Sequence, residues 1–301
     1  MNWLDVIWVV MAAACVTLGA IHFLIWAKQP GEKAHLSFTI TAVALAAAGV
    51  IELQLMHARS AQEFAELVRW LHVPVLVMVV GLVLFVRLHL RAGRPWLGYM
   101  GLGLRAFTLI PNFLSEWNVN WRDVHELADV EIWGGAHFKR VDAELSIWMP
   151  LLQLSNYLLI AFFIDASVTA WRDRGNPENA KVLRICASIA LFLMFAVFWQ
   201  LAILLQVVVL PVTILPAFTA VLLVMSYELG GDVTRAAQIA KDLSTVQGTL
   251  RRSEQRIEDA VQAAGFGLWE WDQVNGELWL SPRARELLDL PEGLPFDRQR
   301  F

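Results

Sequence analysis

The sequence predicts an all-α membrane protein: a bundle of seven transmembrane helices, followed by a long helix and the start of a soluble α+β domain. Of 301 residues, 57 % are hydrophobic and 17 % are charged, and the mean hydropathy is +0.51. Charged residues number 31 in positions 1–229 and 21 in the 72 positions that follow. Seven segments approach the roughly 20 apolar residues that a hydrocarbon core about 30 Å thick requires.

This composition excludes several classes of protein. An ordinary soluble domain is about 25 % charged, so a soluble enzyme of ordinary kind and a disordered chain are both excluded. The two cysteines, Cys15 and Cys186, lie inside apolar runs, which excludes a disulfide framework. A net charge of −4 provides no basic surface for nucleic acid.

The predicted membrane domain covers residues 1–229, and several of its spans are bounded by Trp, as interfacial anchors are. The loops after spans 1, 3 and 5 hold nine Lys and Arg residues, and the opposite loops hold five. The positive-inside rule therefore places the N-terminus outside and the C-terminus in the cytoplasm. The predicted spans are Trp3–Trp26, His35–Met56, Trp70–Leu90, Trp96–Leu114, Leu145–Trp171, Leu183–Val209 and Thr213–Leu229.

Residues Ser115–Glu144 form the long external segment of this prediction. A connection of about thirty residues without its own secondary structure is unusual, and such loops are commonly functional. The segment contains Trp117, Trp121 and Trp133. Its aromatic content predicts a loop that packs as a lid on the helix bundle.

Heptad spacing follows Gly230–Gly231 and predicts a coiled-coil linker over residues 230–260. A helix that exposes such a seam favours a parallel homodimer, and the alternative is one amphipathic helix packed on a domain. The two glycines are predicted to interrupt the helical path from Thr213 to Ala260. The predicted seam residues are Ala236, Ile239, Leu243, Val246, Leu250 and Ile257, with Ser253 and Ala260 completing the register.

Residues 261–301 change to a β pattern. Asn275–Gly276 is a strong signal for a two-residue hairpin turn, and Ser281–Pro282 supplies an N-cap and first residue for a helix over Arg283–Leu290. The stretch GFGLWEWDQVNGELWLS, followed by PRARELLDL, resembles the opening of a PAS domain of bacterial sensor histidine kinases. The match covers about 258–301, so the resemblance implies an incomplete PAS domain and a chain that is a fragment of a longer protein.

The membrane part is similar to the seven-span module that precedes PAS domains in some proteobacterial sensor kinases. The resemblance implies a bacterial inner membrane protein with a periplasmic N-terminus that signals to a response regulator. ATP would be bound by a kinase domain outside this chain; whether the PAS domain binds a cofactor stays open. The stretches that carry the resemblance are residues 85–113, 151–175 and 225–243.

Polar groups inside the predicted spans are candidate functional residues, because charge at membrane depth is costly. Arg105 is predicted to pair with Glu52 or Asp165 as a buried switch, and the alternative is a static polar contact that only fixes packing. Asn112 and Asn156 are the neutral candidates. No catalytic residue is predicted.

Histidines near the outer side are weaker candidates for an external ligand or a metal ion. His57 and His72 lie near Glu52 in the predicted topology, and His125 and His137 lie in the long external segment. Their spacing matches no tight metal-ligand pattern, so no metal site is predicted.

The leading hypothesis is a dimeric receptor that passes a stimulus through the coiled coil to the PAS domain and a histidine kinase. A transporter or other membrane protein with a regulatory PAS domain is the alternative, and the chain lacks the internal symmetry that many transporters show. The same receptor with a diguanylate cyclase output is a third possibility.

Overall fold

A computed structural model describes residues 2–132, 135–172, 175–208, 210–211, 213–272 and 277–290. The chain divides into two compact units, Met1–Gly231 and Asp232–Phe301. The division falls next to the point at which the density of charged residues rises.

The first unit is a bundle of helices, most of which are joined by short connections. Side chains at helix starts explain several boundaries: Asn2 and Asp5 form a capping box at the first helix, and Ser60 and Asn176 cap two others. A π-helical turn, Phe85–Leu90, extends α3 and ends at Arg91, which has a positive φ of 52°. The helices are α1 (Trp3–Lys28), α2 (Lys33–Met56), α3 (Ala61–Leu84), α4 (Pro95–Leu114), α5 (Met149–Arg172), α6 (Pro177–Leu204) and α7 (Leu215–Ala264).

Among the residues that the structure describes, five helical segments are long and apolar enough to cross a membrane, which is compatible with a multi-pass membrane protein. Many of their exposed side chains are large and apolar, including Val10, Leu24, Leu191 and Phe198, as expected of lipid-facing surfaces. These segments are Trp3–Lys28, Lys33–Met56, Ala61–Leu90, Met149–Arg172 and Glu178–Leu204.

The other two predicted spans are helical in the structure, but they are less apolar than the five segments above. Helix α4 carries the polar residues Arg105, Thr108 and Asn112 among its apolar ones. The apolar part of α7 is short, because Glu228 and Asp232 follow soon after its start at Leu215. The structure therefore supports five apolar spans, fewer than the predicted seven.

The segment predicted as a long loop is largely a β-hairpin, so the first unit is not all-α. Strand β1 (Trp121–Ile132) pairs antiparallel with β2 (Ala136–Leu145), with Asp129 opposite Lys139 and register irregularities near Val124. Trp121, Val124 and Phe138 are buried in the core of the bundle. The hairpin thus packs on the bundle, and the backbone groups that face each other between its two strands are paired.

Small residues allow close contact between the helices of the bundle. A Cβ at Gly81 of α3 would meet Thr41 of α2, and one at Gly101 of α4 would lie 2.9 Å from Leu159 Cγ of α5. Close approach at small residues is a common way for helices to pack within a membrane. Helix α4 is therefore seated against α5 over its glycine face.

Gly101→Ala is expected to destabilise the protein by about 1–3 kcal/mol, because the added methyl group overpacks the contact with Leu159. Gly103→Ala is the matched control on the same helix, since a Cβ there meets no atom within 4 Å. The control should be stabilising by up to about 1 kcal/mol, because alanine favours a helix. Thermal unfolding in detergent measures both variants. Equal melting temperatures would contradict the α4–α5 packing.

In the second unit, α7 continues to Ala264 and is followed by a hairpin of β3 (Trp269–Asp272) and β4 (Glu277–Leu280) and by helix α8 (Pro282–Leu287). The predicted interruption at Gly230–Gly231 is wrong, since the helix continues through both glycines. Glycine in a helix interior costs only about 1 kcal/mol and does not by itself end a helix. Ser281 caps α8 through Ala284 N, as predicted. The predicted turn at Asn275–Gly276 lies outside the described residues.

Candidate functional site

A cavity of about 80 Å³ lies in the first unit, beneath the β1–β2 hairpin. Helices α3, α4 and α6, both strands of the hairpin and the segment before α7 form its walls. Most of the wall is apolar, with side chains such as Phe64, Leu71, Trp121 and Ile203. A mostly apolar cavity with a few polar groups is the usual form of a small-molecule site.

The charged groups in the cavity wall are cationic. Arg105, Lys139 and Arg140 line it, together with His72, and none of its described lining residues is Asp or Glu. Arg105 is only 6 % exposed. Lys139 forms an ion pair with Asp129 across the hairpin, 2.6 Å between Nζ and Oδ2. The cavity therefore favours a negatively charged occupant.

The partner of Arg105 is an amide rather than a carboxylate. Its Nη1 donates to Asn156 Oδ1 at 3.1 Å, and Asn156 Nδ2 donates to Gln153 Oε1 at 3.2 Å. Asp165 instead accepts from Arg94 N at 2.9 Å. Within the described ranges, Arg105 forms no ion pair, so the expected pairing with Glu52 or Asp165 is not found. The reason is position: Asp165 meets the start of α4, away from Arg105, and Glu52 has other partners.

Glu52 is fully buried and holds the start of α7. Its Oε2 accepts from Trp8 Nε1 of α1 at 3.0 Å and from Leu215 N at 3.3 Å, and its Oε1 accepts from Ile214 N. The first backbone N–H groups of a helix have no partner within the helix. Glu52 therefore acts as a cap for α7 from another helix and joins three helices at one point.

Two polar atoms of the cavity wall are buried without a hydrogen-bond partner among the described residues: Asn120 Oδ1 and Thr213 Oγ1. Asn120 is held in place because Asn118 Oδ1 accepts from its backbone N at 2.9 Å, and its Nδ2 lies 3.3 Å from His72 Nε2. Asn118 is itself anchored, since its Nδ2 donates to Ala65 O. Buried polar atoms are normally satisfied, so unpaired ones in a cavity point to a ligand or water.

Asn112 has a structural role at the end of α4. Its Nδ2 donates to Arg69 O at 2.9 Å, and its Oδ1 accepts from Val119 N at 3.2 Å. Arg69 donates through Nη2 to the carbonyl oxygens of Ser115, Glu116 and Trp117. These contacts fix the chain between α4 and the hairpin, and so fix Asn120 at the cavity.

Of the candidate histidines, His57 and His137 line one shallow pocket with Asp5 and Asp129, and His72 and His125 lie elsewhere. His57 Nε2 lies 3.0 Å from Asp5 Oδ1, and His72 faces the cavity. His125 lies 4.0 Å from Asp123, and the carbonyl of His137 accepts from Asn2 Nδ2. In the part of the chain that the structure describes, no three His, Cys, Asp or Glu residues could hold a metal ion.

A polar cluster at the opposite end of the bundle joins α1, α2 and α7. His22 Nδ1 lies 2.7 Å from His35 Nδ1, and His22 Nε2 lies 3.1 Å from Ser226 Oγ. Phe38 packs on the His22 ring. This pairing was not predicted, because the three residues belong to different helices.

Sequence reasoning also missed Asn120, Thr213, Lys139 and Arg140 as parts of one wall. In the sequence, these residues share only their position near the ends of predicted spans. As long as the hairpin is not predicted, that position indicates residues at the membrane interface and not the wall of a cavity.

The comparisons with protein-family models and with curated proteins find no match to this chain.

Proposed function

We propose that this chain is the receptor part of a membrane signalling protein and works as a homodimer. In this proposal the bundle crosses a bacterial inner membrane seven times, with α4 and the start of α7 included as spans. The N-terminus is periplasmic and the second unit is cytoplasmic. The second unit is the start of a PAS domain, and the output is a histidine kinase that signals to a response regulator.

The observation that carries the proposal is the exposed apolar seam of α7. Ile239, Leu243, Val246, Leu250 and Ile257 are each at least 57 % exposed, and Ala236 is exposed beside them. Apolar residues at heptad spacing, with charged residues between them, are typical of a coiled coil. A second copy of the same helix would cover this seam, which supports the homodimer over an amphipathic helix packed on its own domain.

The start of α7 provides the coupling step of the proposal. Thr213 and Ile214 line the cavity, and Ile214 N also donates to Glu52. A ligand that moves this segment would change how α7 begins. Coupling needs an element with two arrangements that the ligand biases. The Glu52 contact, either formed or broken, is such an element.

The second unit has an apolar face that supports the PAS interpretation. Trp269, Trp271, Leu278, Leu280 and Leu287 line a shallow groove beside the hairpin. A two-stranded hairpin is marginally stable alone, so further elements are needed to cover it. The order of long helix, hairpin and short helix is the order that the resemblance implies.

Disulfide cross-linking tests the dimer. Leu250→Cys, at a seam position, is expected to give several-fold more cross-linked dimer in membranes than Ser244→Cys, which lies on the outer face of the same helix. Both substitutions are made in residues 1–264 fused to the core of a known histidine kinase. Because the native Cys15 and Cys186 are buried, the unsubstituted fusion should give little background.

The same fusion provides a signalling readout. Forming the Leu250→Cys disulfide is expected to change the rate of autophosphorylation, because it fixes one packing of the seam. Equal cross-linking at both positions, or a kinase rate that is unaffected by the disulfide, would contradict the proposal.

A further inference from the structure

We infer that the cavity beneath the hairpin binds an organic hydroxy acid: a carboxylate with a hydroxyl group nearby on an apolar body. The inference rests on the proposed receptor function and names the class of ligand for its site. It is carried by the geometry of Arg105, Asn120 and Thr213 in the cavity wall.

The carboxylate is argued from Arg105. A buried charge without a counterion is costly, and Arg105 shares only one hydrogen bond, with a neutral amide. Within the described chain, its Nε and Nη2 groups donate to no acceptor, and the side chain lines the cavity. Guanidinium groups bind carboxylates with two parallel hydrogen bonds. A carboxylate in the cavity would supply both the missing charge and the missing acceptors.

The hydroxyl group is argued from the two unpaired polar atoms. Thr213 Oγ1 can donate to a carboxylate, whereas Asn120 Oδ1 is an acceptor and needs a donor. A carboxylate has no proton to donate, so it cannot satisfy Asn120. A hydroxyl group on the same ligand can. Asn120 is 4 % exposed and adjoins His72, which lines the same wall as Arg105.

The apolar body is argued from the rest of the wall. Phe64, Val68, Leu71, Val75 and Trp121 form a continuous apolar side, and Ile203 and Leu204 face them from α6. The cavity is several times larger than the space of about 10–15 Å³ that one water needs by this measure. It therefore has room for an organic group.

Two sources share this chemistry: a water-soluble aromatic or short hydroxy acid, and a hydroxy fatty acid from the membrane. Binding to the protein in lipid nanodiscs is measured by equilibrium dialysis, with empty nanodiscs subtracted. Mandelate represents the first source and 3-hydroxydecanoate the second. Phenylacetate lacks the hydroxyl group of mandelate, and 1-phenyl-1,2-ethanediol lacks its carboxylate; decanoate is the control for the fatty acid.

At least one hydroxy acid is expected to bind with saturation, and the acid with the lower Kd identifies the favoured source. The matching control acid without the hydroxyl group should bind about fivefold more weakly, which is the effect of one hydrogen bond. Replacing the carboxylate of mandelate by the neutral diol should weaken any mandelate binding by at least about tenfold, because charge-assisted bonds are stronger. If neither hydroxy acid saturates, or if both bind no better than their controls, the inference is wrong.

Substitutions in the cavity wall test whether the hydroxy acid binds in this cavity. Arg105→Gln is expected to weaken binding at least about tenfold. Thr213→Val has nearly the same shape, breaks no existing hydrogen bond and should weaken binding about fivefold. Thr169→Val, on an exposed part of α5, is the control and should leave Kd unchanged. Unchanged binding in Thr213→Val would overturn the assignment even if Arg105→Gln failed to fold.

The result is separable from the proposed function. Hydroxy-acid binding without preferential Leu250→Cys cross-linking would leave the site in place and contradict the receptor dimer. Preferential cross-linking without hydroxy-acid binding would contradict the ligand class alone.

Discussion

Glu52→Ala is expected to lower the melting temperature of the detergent-solubilised protein by about 6–12 °C. The substitution leaves Trp8 Nε1, Ile214 N and Leu215 N without their acceptor. A buried donor without a partner costs about 1–3 kcal/mol, so the loss is about 3 kcal/mol or more. For a domain of this size, each kcal/mol corresponds to about 2–4 °C. Circular dichroism or differential scanning fluorimetry measures the change.

Two further variants separate capping from general disruption. Glu66→Ala removes an exposed carboxylate from the neighbouring helix α3 and should change the melting temperature by less than about 2 °C. Glu52→Gln keeps one acceptor oxygen but replaces the other with an NH₂ group, so an intermediate loss is expected. A loss of less than about 2 °C for Glu52→Ala would contradict the capping role.

Glu52→Ala is also expected to affect the proposed signalling. Glu52 joins α1, α2 and the start of α7, and the backbone group that it holds belongs to a residue of the cavity wall. Releasing that contact is therefore expected to change kinase output in the fusion without ligand. A change in both the melting temperature and the kinase output would show that Glu52 contributes to stability and to the proposed signalling.

Several features of the fold followed from sequence because they depend on local patterns. Apolar runs predicted the five hydrophobic spans, and Ser281 before Pro282 predicted the start of α8. The hairpin was not predicted, because strand β1, which includes Val124, Glu126 and Asp129, has no continuous alternation of apolar and polar residues. Its stability depends on packing of Trp121 and Phe138 on the bundle, which is a tertiary effect.

The candidate site was predictable only in part. Glu52 and Arg105 were identified because charge inside an apolar run is rare. Their partners were not, because Glu52 binds backbone groups of Ile214 and Leu215, which have no signature in the sequence. Arg105 was expected to need a carboxylate of the same chain, because charge at membrane depth is costly. Arg105 instead contacts Asn156 and the cavity, so its counterion need not come from the protein.

Arg69→Leu and Arg105→Leu are expected to have different effects, although both replace an arginine near the same end of the bundle. Arg69 donates to three carbonyl oxygens that lead into the hairpin, so its loss should lower the melting temperature by about 6–12 °C. Arg105 forms one hydrogen bond to an amide and carries an unpaired buried charge. Its replacement by leucine should lower the melting temperature by no more than about 3 °C, because relief of the buried charge offsets the loss of the one donor to Asn156 Oδ1.

The hydrogen bonds of Arg69 and the buried charge of Arg105 are expected to contribute to the free energy of unfolding with opposite sign. An arginine that holds the fold stabilises it, whereas the uncompensated charge of a buried arginine that awaits a ligand destabilises it. Burying a charge without a counterion costs free energy, and replacing it with an apolar side chain removes that cost. Functional residues commonly carry such a cost in stability. Arg105→Leu should therefore keep the fold and lose hydroxy-acid binding. Thermal unfolding of both variants without ligand makes the comparison, and a loss for Arg105→Leu as large as that for Arg69→Leu would show that Arg105 is a structural residue.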